Sequence, residues 1–138
     1  MRLVLVGLVV VWSVTGVWLG ASSEAQEGVT RRDTQGPVTV AVTLMHSPTP
    51  GVPIKAKVVL DTHAVALDGV GFEQAVAMQA AGGIEVPPTA VEQASGSGHH
   101  REAVLVFPPV AEPGTVRIVV RNVAGVAERT FTWESLPR

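Results

Sequence analysis

Two stretches of this sequence alternate between apolar and polar residues with a period of two. Over 38–44 every even position is valine or leucine, and over 54–60 every even position is again apolar. Successive side chains of a strand point to opposite faces of a sheet, so this period predicts two half-buried strands. The intervening segment His46–Pro53 contains three prolines and a glycine, which predict a turn or loop.

Six further segments have the composition of short strands, and each is bounded by Gly, Pro, Asn or Asp. Helical spacing is nearly absent, and where it occurs, over 72–81, a strand at 75–79 is the favoured interpretation. About seven or eight short strands in about 100 residues predict an all-β fold, an immunoglobulin-like antiparallel β-sandwich. Phe107, Phe131 and Trp133 are expected to fill its core. The six segments are 64–67, 75–79, 90–93, 103–107, 116–121 and 126–133.

The N-terminus has the composition of an export segment. Arg2 precedes Leu3–Leu19, which contains no charged residue, and this pattern predicts a hydrophobic helix that directs export. Two alternatives stay open, a signal peptide cleaved after Ser23 or Ala25 and a short uncleaved anchor, which would make the membrane a partner. We expect a signal peptide or anchor over 1–25, a flexible spacer over 26–36, and a β-sandwich domain over 37–138. The domain would then be periplasmic or extracellular.

Charge and cysteine content exclude several classes of function. The formal net charge is −2 at pH 7 and no block of like charge occurs, so nucleic acid is not an expected partner. The chain has no cysteine, which excludes a disulfide framework, a thiolate metal site and a lipid-modified cysteine.

Histidines and aspartates form the main candidate site. If the second alternating strand continues past Asp61, its period places Asp61 and His63 on one face. His99 and His100 follow a Gly/Ser-rich segment, predicted to be a flexible loop, and in extended backbone they point to opposite sides. A copper or zinc site is therefore an alternative hypothesis, with His63, one of His99 or His100, and Asp61 or Asp68 as ligands.

A structural role for the same residues is the favoured interpretation. In it, Arg101 pairs with the carboxylate of Asp61 or Asp68 and fixes the loops at one end of the sandwich. Ser95 or Ser97 beside histidines supplies the residue types of a hydrolytic triad, but no nucleophile-elbow pattern is present. We therefore predict no enzymatic activity and no cofactor.

Four motifs carry a resemblance to a known group of proteins. They are Leu60-Asp61-Thr62-His63 with Leu67-Asp68, Gly98-His99-His100-Arg101, Leu105-Val106-Phe107-Pro108, and Glu128-Arg129-Thr130-Phe131-Thr132-Trp133. Over roughly residues 38–134 the chain resembles uncharacterised bacterial exported proteins and lipoproteins. The resemblance implies an immunoglobulin-like sandwich outside the cytoplasm and no particular activity. Glu102 and Ala103 depart from the small polar residue and glycine expected after His-His-Arg.

These features together lead to one functional expectation and one alternative. We expect an exported, non-catalytic module that binds an envelope protein or ligand through loops at one end of the sandwich. The alternative is an envelope metal-binding protein that uses His63 with His99 or His100. The chain is also similar, more distantly, to small periplasmic copper-handling sandwiches, but it lacks their N-terminal histidine- and methionine-rich segments.

Overall fold

Two antiparallel sheets pack against each other in the structure, a computed structural model that describes residues 29–80 and 82–134. The all-β sandwich predicted from the sequence is confirmed. Within these ranges there are nine strands and one helix of four residues. The strands are β1 (Thr30–Asp33), β2 (Val38–Leu44), β3 (Ile54–Thr62), β4 (Val76–Gln79), β5 (Glu85–Val86), β6 (Ala90–Ser97), β7 (His100–Phe107), β8 (Val116–Val123) and β9 (Val126–Trp133), and the helix α1 is Phe72–Ala75.

The order of the strands is that of an immunoglobulin-like sandwich. One sheet has the order β1-β2-β3-β7-β6 and the other β5-β4-β8-β9. Without β1, the two sheets correspond to the ABED and C′CFG sheets of immunoglobulin domains, in the same chain order. The strand β1 is therefore an additional edge strand beside the first of the usual strands.

The core lies between the sheets and is built from the alternating positions. Every even residue of β2 and every even residue from Ile54 to Leu60 in β3 is buried, as the period of two requires. The expectation for the aromatic residues is confirmed, since Phe107, Phe131 and Trp133 all belong to the core cluster.

Two predicted elements differ in the structure. The segment 64–67 is not a strand, because Thr62 ends β3: its hydroxyl donates to the carbonyl oxygen of Pro37 and accepts from the backbone N–H of Ala64. Such a local side-chain bond offers the backbone an alternative to the sheet ladder. The segment 72–81 divides into α1 and β4, so helical and strand spacing each describe part of it.

The strand β1 corrects the prediction of a flexible spacer over 26–36. Thr30 pairs with Thr43, and Asp33 pairs with Val40, so residues 30–33 belong to the first sheet. No apolar period marks this strand, because polar side chains hold it. The Nε of Arg31 donates to the carbonyl oxygen of Thr132 over 3.1 Å, and Asp33 binds Arg129.

The predicted signal peptide or anchor over 1–25 lies outside the described residues, as do residues 26–28 of the spacer. In the part of the chain that the structure does describe, there is no helix with the length and hydrophobicity needed to cross a bilayer.

The two ends of the sandwich carry different parts of the chain. Because Val38 pairs with Thr62 and Asp61 with His100, the 63–71 loop and the turn between β6 and β7 lie at one end, here called the loop end. Val29 precedes β1 and lies at the opposite end beside Trp133, whose Nε1 donates to its carbonyl oxygen over 2.8 Å. We call this second end the terminal end.

Candidate functional site

The Gly/Ser-rich segment before the paired histidines is a tight hairpin, which corrects the prediction of a flexible loop. Residues 95–97 belong to β6 and pair with β7, so only Gly98 and His99 remain in the turn. Gly96 and Gly98 have φ of 85° and 62°, in the left-handed region that glycine adopts without strain. A Cβ at Gly96 would also collide with the backbone carbonyl oxygen of His100.

His100 lies on the outer face of the first sheet, directly opposite Asp61. Its Nδ1 is 2.5 Å from Oδ1 of Asp61, and its Nε2 is 3.6 Å from Oε2 of Glu102. Glu102 in turn pairs with Lys57 across the sheet at 3.1 Å. The hydrogen bond to Asp61 raises the pKa of His100 above its ordinary value; partial desolvation opposes this rise, and Glu102 reinforces it. These four side chains therefore form a row of alternating charge when the imidazole is protonated.

Arg101 holds the 63–71 loop against the sandwich. Its Nη1 donates to the carbonyl oxygens of Leu67 at 3.1 Å, Asp68 at 3.4 Å and Val70 at 2.5 Å. Its guanidinium carbon lies 5.1 Å from the centre of the Phe72 ring, within the range of a cation–π contact. One side chain thus satisfies the backbone acceptors of a loop that has no regular structure of its own.

The predicted pairing of Arg101 with a carboxylate is wrong, and the period of the strand explains why. Arg101 follows His100 in β7, so its side chain points to the opposite face from His100 and from Asp61. The carboxylate of Asp68 has a different partner, because its Oδ1 accepts from the backbone N–H of Gly98 over 2.9 Å. The N–H of Leu67 also donates to the carbonyl oxygen of Gly98 over 2.8 Å. The loop network exists, but it joins Arg101 to carbonyl oxygens and Asp68 to the turn.

The residues of the alternative metal site do not converge in the structure. His63 follows the end of β3 and lies outside the strand that carries Asp61, while His99 lies at the tip of the turn; both residues are exposed. Only Asp61 and His100 are joined, and the two ring nitrogens of His100 face different carboxylates. Among residues 29–80 and 82–134, no three His, Asp or Glu side chains are grouped closely enough to hold a metal ion.

The hydrolytic residue types come close to one another without forming a triad. Ser97 is the cross-strand neighbour of His100 on the side away from Asp61. Within the described residues, however, no hydrogen bond joins the Ser97 hydroxyl to the ring, and Nε2 faces Glu102. A serine nucleophile needs a base within about 3.2 Å.

Arg129 is a buried polar residue whose role sequence reasoning missed. It is 1% exposed, although it belongs to a strand of the sandwich core. Its Nε donates to Asp33 at 3.1 Å, its Nη2 to the carbonyl oxygen of Gln35 at 2.7 Å, and its Nη1 to that of Val123 at 3.2 Å. A signal was present in the sequence, since the period of two places Arg129 on the same face as Phe131 and Trp133.

Comparison with known proteins adds no assignment to this geometry. No protein-family model, curated protein or solved structure matches the chain. The resemblance drawn from the four motifs therefore stays a hypothesis.

Proposed function

We propose that this chain is an exported, non-catalytic binding module that contacts a protein or ligand of the cell envelope through the loop end. One observation carries the proposal: Arg101 and Asp68 fix the 63–71 loop and the β6–β7 turn by side-chain bonds to backbone groups. His63 and His99 extend from this fixed backbone into solvent. Binding residues collect on loops positioned by a rigid scaffold, and a preordered surface loses less entropy when it binds.

Export is the first part of the proposal and can be tested separately. The uncharged segment Leu3–Leu19 after Arg2 supports it. In a bacterial host, a fusion of the full chain to alkaline phosphatase, which folds only outside the cytoplasm, should be active. Replacement of two leucines of the segment, Leu5 and Leu8, by arginine should abolish that activity. Equal activity for the two fusions would show that the segment does not direct export.

Binding through the loop end requires a test that reports position. A photo-cross-linking amino acid in place of His99 should give a discrete cross-linked species in cell envelopes. The matched control is the same amino acid in place of Thr130, which is exposed on the outer face of β9 and should give none. Equal cross-linking at the two positions, or none at His99, would refute a binding surface at the loop end.

A further inference from the structure

Among the described residues, the large apolar side chains that are exposed all lie at the terminal end. Four large hydrophobic residues among those the structure describes are exposed: Val29 at 47%, Met45 at 46%, Val52 at 42% and Ile84 at 75%. Val29 precedes β1, Met45 follows β2, and Val52 lies in the loop between β2 and β3. Ile84 directly precedes β5, whose first residue pairs with the last residue of β4 at this same end. Single exposed hydrophobics are ordinary, but their confinement to one end indicates a contact surface.

The loops around these residues are poor in charge, and three of the four are rich in proline. The segments 45–53, 82–84, 87–89 and 108–115 lie at the terminal end and contain eight of the ten prolines of the chain, but only one charged residue, Glu112. The N–H of Gly51 donates to the carbonyl oxygen of Val110 over 3.1 Å and joins two of these loops. Proline fixes φ and limits the unbound conformations of the loops. The proline-rich loops, including the one that carries Val52, therefore present their side chains at a small cost in loop entropy.

The chain that precedes the sandwich enters at the same end. Val29 follows nine residues, 20–28, and before these lies the hydrophobic segment Leu3–Leu19. Nine residues reach at most about 30 Å when fully extended. If the hydrophobic segment stays in a membrane, the terminal end is kept within about 30 Å of the bilayer, while the loop end lies on the far side of strands of about 25 Å.

We infer that the terminal end of the sandwich lies on the surface of the bilayer that holds the uncleaved N-terminal segment, with Ile84 and Val52 in contact with lipid. This inference rests on the export step of the proposed function. Apolar side chains partition into the membrane interface without needing anionic lipid. A depression of about 200 Å³ lined by Gly82, Gly83, Thr115 and Arg117 adjoins Ile84. Arg117 has no ion-pair partner among residues 29–80 and 82–134, and its charge suits the phosphate layer of the interface. The arrangement directs the loop end, with His63 and His99, away from the membrane.

The absence of cysteine from the chain allows a direct test. Single-cysteine variants of the full chain, Ile84→Cys, Val52→Cys and His99→Cys, are labelled with an environment-sensitive fluorophore and reconstituted in phosphatidylcholine vesicles. The expected result is blue-shifted emission at positions 84 and 52, quenched several-fold by lipids that carry a nitroxide near the headgroup. Position 99 should show neither effect. In the Val52→Cys chain, an added Ile84→Ser change should reduce the quenching at position 52.

Three results would overturn the inference. Equal, weak quenching at positions 84, 52 and 99 would place the terminal end in water. A blue shift at position 84 that grows with the protein-to-lipid ratio, without quenching by the nitroxide lipids, would show that a second copy covers this end. Recovery of a soluble chain that begins at Glu24 or Gln26 would show that the anchor is removed. None of these results affects cross-linking at His99, which separately tests binding at the loop end.

Discussion

Replacement of the buried Arg129 by methionine should destabilise the sandwich by about 3 kcal/mol. The change removes a charge-assisted hydrogen bond to Asp33 at 3.1 Å. It also removes hydrogen bonds to the carbonyl oxygens of Gln35 at 2.7 Å and Val123 at 3.2 Å. A contact with the carbonyl oxygen of Val38 at 3.5 Å is too long to count. Removal of one partner from a buried ion pair costs about 3–5 kcal/mol because the other charge loses its compensation. The low end applies here, since the side chain of Asp33 is 22% exposed and can be hydrated.

Urea unfolding followed by circular dichroism measures this change, with the midpoint lowered and the slope m unchanged. For a domain of about 100 residues, a loss of about 3 kcal/mol lowers Tm by about 12–20 °C. The matched control is Arg117→Met, since Arg117 is an exposed arginine on the neighbouring strand β8, and its free energy of unfolding should stay within about 0.5 kcal/mol of the parent. An Arg129→Met domain within about 1 kcal/mol of the parent would refute the view that this arginine joins β1 to the core.

Three further predictions concern the loop end. Gly96→Ala should destabilise the domain by about 2 kcal/mol or more, because a Cβ there strikes the His100 carbonyl group. The control Gly98→Ala, whose Cβ meets no neighbour, should cost about 1 kcal/mol. Equal losses of the free energy of unfolding for the two variants in urea would contradict the proposed collision at Gly96. Because the pKa of His100 is raised, its bond to Asp61 stabilises the fold below pH 6.5, and this stabilisation is lost as the pH rises through the raised pKa. In Asp61→Asn, NMR titration should show a lower pKa for His100 than in the parent. An unchanged pKa would exclude Asp61 as the cause of the rise. Arg101→Met should speed amide hydrogen exchange in the 63–71 loop by at least about 10-fold while β2 and β3 keep their protection, and unchanged exchange in the loop would show that Arg101 does not order it.

Asp33 gives the fold a second dependence on pH, on the acid side. Partial burial raises the pKa of its carboxyl group, but hydrogen bonds from Gln35 and Arg129 outweigh that effect and hold the pKa below its usual value. A lowered pKa stabilises the folded state above the unfolded value of 3.8, and this stabilisation is lost as the pH falls through the lowered pKa. In Asp33→Asn this acid-side loss, seen as a fall in Tm below about pH 4, should become smaller, and an identical acid profile would assign it to other carboxylates.

The site was only partly predictable from the sequence, because its contacts join residues far apart in the chain. The period of two in β7 already required His100 and Arg101 to face opposite sides of the sheet. The partner of His100 was a matter of register: Asp61 stands opposite it, 39 residues earlier. The partners of Arg101 depended on the path of an irregular loop, and every residue has a carbonyl oxygen, so a sequence does not indicate which ones accept a bond. For this reason the prediction paired Arg101 with a carboxylate, whereas the structure pairs it with backbone carbonyl oxygens.

The sequence by itself determined the β architecture, the two central strands and the aromatic core, because alternation and turn residues are local properties that any β-sandwich must satisfy. Tertiary structure alone decided the incorporation of β1, whose residues Thr30–Asp33 carry no apolar period and are held by Arg129 and Thr132 from the other end of the chain. It also decided which residues share an end, and it placed Ile84 at the end where Val29 enters, opposite His99. Local patterns fix the faces of strands, whereas register and long-range polar contacts fix the positions of their ends.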